Sequence, residues 1–437
     1  MLDSVQMPIV TLNQGQEAAA DGFFEFLLSA DKEMIISGAG GVGKTFLMGY
    51  LIDQVMPRYY KMCNLMGLKA EYDSVVMTAT TNKAAEVLGL ATKRPTETIH
   101  SFLNLKVVED YSTGRTRLVK TNSWEVKSRM IVFVDECSMI DHYLRTMIHE
   151  GTQNCKIVYV GDHSQLAPVM ETLSPIYRDN LPFYELTQPM RNAEQPALMA
   201  LCQQLRETVA SGEFKPIQIV PGVIDWVDDA PMEYLIEQTF RNQTKQARIL
   251  AYTNDRVLDY TNHIRSLRGL PEEYTVGEYL VNTNALRIGK HMLSVEESVE
   301  IIDQASLPEE LELRDKSKIM VRRSKLRSGL GATYYNVPIP VDRAHYADLL
   351  KYYARSKQWA VYYELKNTVP DLRPHDAATV HKAQGSTYET VFLDLDNLSR
   401  CHNPDTAARL LYVGATRAKK NIILYGDLAE KYGGIQA

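Results

Sequence analysis

The first half of the chain repeats one pattern: a short apolar run, a turn, then a stretch with helical spacing. Residues 34–37, 75–77, 130–134 and 156–160 read as strands, and residues 45–56 and 82–90 as helices. These runs are apolar throughout rather than at alternate positions. That is the mark of strands covered on both faces, and strands separated by helices build a parallel α/β sheet. The pattern restarts after about residue 190. Residues 248–252 read as a strand and 255–268 as a helix; 378–380, 391–395 and 422–425 are further strands, with 406–412 helical. The prediction is an α/β protein with two parallel-sheet domains, 1–190 and 191–437, the second interrupted by an insertion from about 270 to 370.

Two segments break the rhythm. Residues 106–108 and 117–119 flank Tyr111-Ser112-Thr113-Gly114, which predicts a β-hairpin over 103–124 within the first domain. The insertion carries strand-like stretches at 279–281, 299–302 and 319–321, then a tyrosine-dense helical part over 346–365. Its tyrosines read as helix core rather than as a surface for stacking bases. Residues 314–327 hold Arg314, Lys316, Lys318, Arg322, Arg323, Lys325 and Arg327 against one acid, Asp315. A solvated charged face and a contact to a DNA backbone both fit this stretch.

Composition narrows the class. With 437 residues, 45% apolar and 23% charged, the chain has an ordinary globular balance, which excludes disordered, collagen-like and disulfide-scaffold proteins. No run approaches the ~20 apolar residues of a membrane span, and the first residues lack a basic and an apolar region, so neither a membrane segment nor a secretory leader is expected. The cysteines (Cys63, Cys137, Cys155, Cys202, Cys401) are scattered without a C-x-x-C pair, so no structural zinc or redox dithiol is indicated. A reducing, cytoplasmic setting is expected. The net charge of −6 excludes an overall basic coat but leaves room for a local basic groove.

The strongest chemical signal is Gly38-Ala39-Gly40-Gly41-Val42-Gly43-Lys44-Thr45, which fits G-x-x-x-x-G-K-[ST] and falls between a predicted strand and a predicted helix. Such glycines let backbone N–H groups turn inward around phosphate oxygens, and the helix N-terminus favours negative charge. Lys44 is placed to reach the outer phosphates of ATP, and Thr45 to ligate Mg²⁺. Strand 130–134 runs into Asp135-Glu136, and an acid at the C-terminal end of a buried strand points into the crevice where open sheets bind ligands. Asp135 is the candidate for holding Mg²⁺ and Glu136 for activating the attacking water; a helix-capping acid is the plainer alternative. Phosphoryl transfer also needs positive charge on the γ-phosphate. Arg191 and Arg417 are candidates, although an isolated arginine is more often half of a surface ion pair.

These residues resemble superfamily 1 helicases, in particular the RecD-like branch that includes the compact Dda-type phage helicases. Beside the phosphate loop and Asp135-Glu136, residues 78–85 (T-A-T-T-N-K-A-A) are similar to motif Ia, and Thr98-Ile99-His100-Ser101 to the segment that follows it. Residues 161–168 (G-D-H-S-Q-L-A-P) resemble motif III, 379–386 (T-V-H-K-A-Q-G-S) motif V, 412–417 motif VI, and 12–16 an N-terminal adenine-reading motif. They occur in the family's order across nearly the whole chain.

The resemblance implies two RecA-like P-loop NTPase domains with ATP between them and single-stranded DNA across both. It implies that Gln16 contacts adenine, that Gln165 senses the γ-phosphate, that Arg191 and Arg417 act as arginine fingers, and that Gly385 lies at the nucleotide. Thr81, Asn82 and His100 would hold DNA on the first domain and Thr379, His381 and Lys382 on the second; Asn82 departs from the glycine or histidine often found there. The hairpin would be the strand-separating pin, with Tyr111 or Leu118 as its wedge. The insertion would be SH3-like, carrying a tower that braces the pin. The implied function is an ATP-dependent, Mg²⁺-requiring DNA helicase moving 5′ to 3′ on single-stranded DNA and at single-strand/duplex junctions. It would act as a monomer in the cytoplasm (the host's, if phage-encoded), with single-strand-binding, replication or recombination proteins as possible partners. Two other readings keep the motor: a translocase that strips proteins from DNA, and a partner-dependent subunit of a recombination or repair assembly.

Overall fold

The computed structural model describes residues 11–168, 173–188, 195–329 and 331–436. They fall into two compact units. The first comprises the described parts of 1–103, 125–163 and 167–193; the second, those of 104–124, 164–166 and 194–437.

The first unit is built on a six-stranded sheet, parallel throughout, in the order Phe183–Leu186, Glu33–Gly38, Lys156–Gly161, Met130–Asp135, Ser74–Ala79, Thr96–Thr98. Phe23, Phe26, Met34, Ile36, Leu47, Phe133 and Val158 pack into one of its cores. Because every strand points the same way, the segments following Gly38, Ala79, Asp135 and Gly161 all emerge at one edge. The helix read over 45–56 begins at Lys44 and continues to Leu65, with Leu51–Val55 wound as a π-turn. Pro57 follows one residue later, after Met56; it has no N–H to return to the preceding turn, and the wider turn absorbs the interruption.

The second unit holds a parallel sheet in the order Ile224–Val227, Ala418–Tyr425, Tyr388–Asp394, Ala247–Ala251, Ala377–Thr379. Helices Pro196–Ser211 and Pro404–Thr416 bury Leu198, Leu201, Leu205, Leu410 and Leu411 in one core, and Ile236, Phe240, Val257, Ile264 and Phe392 form another. Between Ala247–Ala251 and Ala377–Thr379 the chain makes an antiparallel sheet, ordered Glu309–Glu312, Lys318–Ser328, Ser298–Gln304, Tyr279–Asn282, Leu372–Pro374, with Thr333–Pro340 also pairing Lys318–Ser328. The single helical stretch read over 346–365 is two helices, Arg343–Arg355 and Trp359–Thr368, parted where Lys357 takes φ +57°. Tyr346, Tyr353, Val361 and Leu365 pack on Leu313, Ile319 and Val321, so Tyr346 and Tyr353 are core as expected, whereas Tyr352 lies on the outer face of its helix and is exposed.

The basic stretch is largely neutralised in place. Arg314 pairs with Glu364, Lys318 with Glu310, Arg322 with Glu273, Arg323 with Glu309 and Arg327 with Glu300. Five of its seven cations are thus already paired with acids.

The hairpin pairs Leu105–Asp110 with Arg115–Lys120. Chain order assigns it to the first domain, but it belongs to the second unit. Its tip explains why: Tyr363 donates its hydroxyl to the Gly114 carbonyl at 2.9 Å, and the Asn367 amide donates to the Glu109 carboxylate at 2.8 Å.

Candidate nucleotide and nucleic-acid site

The phosphate loop turns between strand Glu33–Gly38 and helix Lys44–Tyr50. Gly41 and Gly43 take φ +86° and +84°, a left-handed backbone that glycine adopts without penalty. A Cβ on Gly38 would lie 2.6 Å from the Leu186 carbonyl, so the strand end admits no side chain. Val42 is buried, Ala39 and Gly41 are half-buried, and Gly40 is exposed. The Lys44 ammonium donates to the carbonyls of Gly38 (2.7 Å) and Ala39 (3.0 Å), which keeps it over the loop. Thr45 follows on the first helical turn. Gln16 is fully buried in the helix Gln14–Leu28; its side-chain oxygen accepts from the Asn13 N–H, and its amide reaches the Val42 carbonyl at 3.5 Å.

Two strands away in the sheet, Asp135 and Glu136 end Met130–Asp135. Burial pushes the Asp135 carboxyl up to about 7, with the Glu136 carboxylate adding to the shift and the Lys44 ammonium opposing it. Glu136 takes φ +54°, a strained conformation for a residue with a side chain. Its Oε2 is buried and has no hydrogen-bond partner among the described residues. A buried carboxylate oxygen left unpaired is costly.

Next in the sheet, Ser74–Ala79 leads into Thr81 and Asn82, both exposed. The Thr81 hydroxyl caps helix Asn82–Thr92 by accepting from the Ala84 N–H at 3.2 Å. His100 is half-buried in the short helix Ile99–Phe102, and burial lowers its pKa, opposed by Asp141.

In the second unit, Gln165 is buried and accepts at Oε1 from the Gln384 amide (3.0 Å) and at its carbonyl from Arg409 (2.6 Å). Arg417, at the end of helix Pro404–Thr416, is buried; it donates to the carbonyls of Val413 and Ser386, both at 3.1 Å, and to the Thr416 hydroxyl at 2.9 Å. These bonds tie it to the segment that carries Gly385, at φ +80°. Arg191 lies outside the described residues. Thr379 ends strand Ala377–Thr379 and is buried. His381 is exposed with its ring 6.2 Å from that of Tyr252, and Lys382 is half-buried.

Of the hairpin residues, Tyr111 is 56% exposed with its ring 5.7 Å from Tyr363. Leu118 is half-buried opposite Val107.

Three further residues near these segments are not singled out by the sequence, although Thr80 lies within the motif Ia segment. Thr80 gives its N–H to the Asp135 carbonyl and its hydroxyl to the Glu136 carbonyl. Gln384 is legible only as part of motif V. Glu296, from the insertion, places its carboxylate 3.9 Å from the Lys382 ammonium. Among the described residues, no group of three or more His, Cys, Asp or Glu is arranged to hold a metal ion, and no helix is long and apolar enough to cross a membrane.

A glycine-rich phosphate loop, an acid pair on a strand near its own and a second parallel sheet with its own polar edge define a P-loop nucleoside-triphosphatase with two α/β units. Family models match an AAA domain over residues 11–218 and a UvrD-like helicase C-terminal domain over residues 375–425. The chain is 21% identical to the ATP-dependent DNA helicase dda of Enterobacteria phage T4, over 94% of this chain and 98% of that one. In fold it is similar to the Pif1 helicase from Bacteroides in complex with ADP-AlF3 and ssDNA (TM-score 0.52, 13% identity, 98% of this chain and 95% of that one). It is likewise similar to Pif1 helicase from Candida albicans (TM-score 0.50, 15% identity, 98% and 97%). With an AAA domain followed by a UvrD-like helicase C-terminal domain, the chain is a superfamily 1, ATP-dependent DNA helicase similar to Dda, and its RecA-like parallel-sheet core has the fold of the Pif1 structures.

Proposed function

We propose that this helicase moves 5′ to 3′ along single-stranded DNA as a monomer and opens duplex ahead of it, driven by Mg-ATP hydrolysis. The observation that carries this reading is the shared edge of the first sheet, where the phosphate loop, Asp135-Glu136 and Thr81-Asn82 emerge from strands of one sheet. The polarity rests on the resemblance to the RecD-like branch.

In this reading the loop N–H groups and Lys44 bind the phosphates, and Gln16 contacts the adenine. The Thr45 hydroxyl and the buried Asp135 carboxyl would hold Mg²⁺, which would supply positive charge against the phosphates. Glu136 Oε2 accepts the proton of the attacking water, the use for which its unpaired state suits it. Gln165 and Arg417 are the second-unit residues that respond to the γ-phosphate, with Arg191 as a second finger. Thr81, Asn82 and His100 grip the DNA backbone on one unit, and Thr379, His381 and Lys382 on the other. Contacts of this kind hold any sequence equally. The antiparallel insertion serves as the SH3-like support of the hairpin, and the hairpin as the pin.

The test is directional stripping of streptavidin from biotinylated oligonucleotides in the presence of Mg-ATP. A 5′-to-3′ motor clears the 3′-biotin and not the 5′-biotin. Clearance of the 5′-biotin alone would reverse the polarity, and no ATP-dependent clearance would remove the motor.

A further inference from the structure

In the second unit a small, solvent-open cleft is lined by residues of strand Ala377–Thr379, of helix Asn254–Leu267 and of the inserted sheet. Three cations line it, Arg248, Arg373 and Lys382, together with one carboxylate, Glu296. Two of the cations are committed elsewhere: Arg248 to the Tyr388 hydroxyl and the Ala377 carbonyl, Arg373 to Asp371 and Asn254. Lys382 faces Glu296.

Glu296 is held there at some cost. It takes φ +61°, which a glycine would adopt freely. The turn is fixed from both sides: its N–H donates to the Asn282 carbonyl at 2.8 Å, and the Glu297 carboxylate accepts the Ser294 N–H at 2.8 Å. Glu296 Oε1 is buried and has no hydrogen-bond partner among the described residues. At 3.9 Å the Lys382 ammonium is close enough for attraction but too far for a hydrogen bond. Burial raises the Glu296 carboxyl against Lys382, Arg248 and Arg373, and burial lowers Lys382. The pair is thus a partly desolvated attraction without the hydrogen bond that normally completes one.

We propose that Glu296 stands in for a DNA backbone phosphate, holding the Lys382 ammonium in the cleft and yielding it to an arriving strand, so that it sets the second unit's affinity for single-stranded DNA. This rests on the reading of Lys382 as a DNA contact. A phosphate offers Lys382 a proper hydrogen-bonding acceptor, which Glu296 does not. The displaced carboxylate then recruits a cation from solution and cancels part of the counterion release that binding would otherwise produce. The device weakens the grip, as suits a motor that must let go in every cycle.

The experiment is equilibrium binding of a fluorescent oligo-dT to the full chain across a salt series, for the wild type, Glu296→Gln, Lys382→Gln and the double variant. Glu296→Gln should bind several-fold tighter, with a plot of log K against log salt steeper by up to about 0.7, the value of one single-strand phosphate contact. Lys382→Gln should bind more weakly, and adding Glu296→Gln to it should change nothing. Glu296→Gly, which also relieves the left-handed backbone, should reproduce the tighter binding if Glu296→Gln folds poorly. If Lys382→Gln weakens binding while neither Glu296 variant strengthens it, the stand-in role is overturned and the DNA contact survives. If Lys382→Gln leaves affinity and slope unchanged, both are overturned.

Discussion

The Thr80 hydroxyl donates to the Glu136 carbonyl at 3.1 Å, and the Thr80 N–H donates to the Asp135 carbonyl at 3.2 Å. One residue just past strand Ser74–Ala79 thereby fixes the backbone of both acids on the neighbouring strand. It adjoins Thr81 and Asn82, so the segment proposed to hold DNA and the pair proposed to cleave ATP share a rigid link. Thr80→Val keeps the shape and the N–H but removes the hydroxyl, at a cost of about 1 kcal/mol. DNA-stimulated kcat should fall about tenfold, a larger change than that bond energy alone sets, because the left-handed Glu136 loses its support. KM for ATP should change less than about twofold. Steady-state ATPase assays with and without oligo-dT check this; an equal loss in both would place Thr80 in the nucleotide site alone.

Glu136→Gln should retain nucleotide binding and lose hydrolysis by a factor on the order of 10³, the usual scale for a general base. Fluorescent-nucleotide titration and phosphate release measure the two separately. A variant with near-normal turnover would return Glu136 to a structural role.

The hairpin tip is fastened at Gly114, where a Cβ would fall 2.3 Å from the Trp359 ring and φ is +70°. Trimming residues 110–116 should abolish unwinding while sparing DNA-stimulated ATPase. Gly114→Ala should act in the same direction more mildly, by displacing the tip from the helix Trp359–Thr368. Equal loss of both activities in the trimmed protein would sink the pin reading.

Away from the site, Glu33 sets an acid limit on stability. Burial alone would raise its carboxyl. Hydrogen bonds from His149 and Tyr159, with the charges of His149 and Arg145, outweigh that and bring it to about 2. A carboxyl lowered on folding gives stability that is full above its unfolded value of about 4.3 and is lost as pH falls through the folded one. Of the roughly 3 kcal/mol that this group contributes at neutral pH, about 2 kcal/mol should be lost between pH 4 and 2, consistent with its 12% side-chain exposure. Glu33→Gln should be less stable at neutral pH and flatter over that window. Urea unfolding at several pH values measures both.

What the sequence made legible follows from burial. Strands covered on both faces, such as residues 130–134 and 156–160, announce themselves as apolar runs, and the phosphate loop by its fixed glycines. The strands Thr96–Thr98, Phe183–Leu186 and Ile224–Val227 went unread because each lies at a sheet edge and mixes polar with apolar residues. The hairpin was legible as an element but not in its placement, because Gly114 is fastened by Tyr363, 249 residues further on. Glu296 was invisible for a different reason: no pattern marks a glutamate in a left-handed turn. The buried bonds of Arg417 were equally unreadable, since motif VI gives its presence but not its partners.

The most direct measurement is unwinding of two duplexes by the purified chain with Mg-ATP, one carrying a 5′ single-stranded tail and the other a 3′ tail. The account predicts that only the 5′-tailed duplex opens. Opening of the 3′-tailed duplex alone would contradict the polarity. Opening of neither, while single strands still stimulate ATP hydrolysis, would contradict the unwinding itself and leave a translocase.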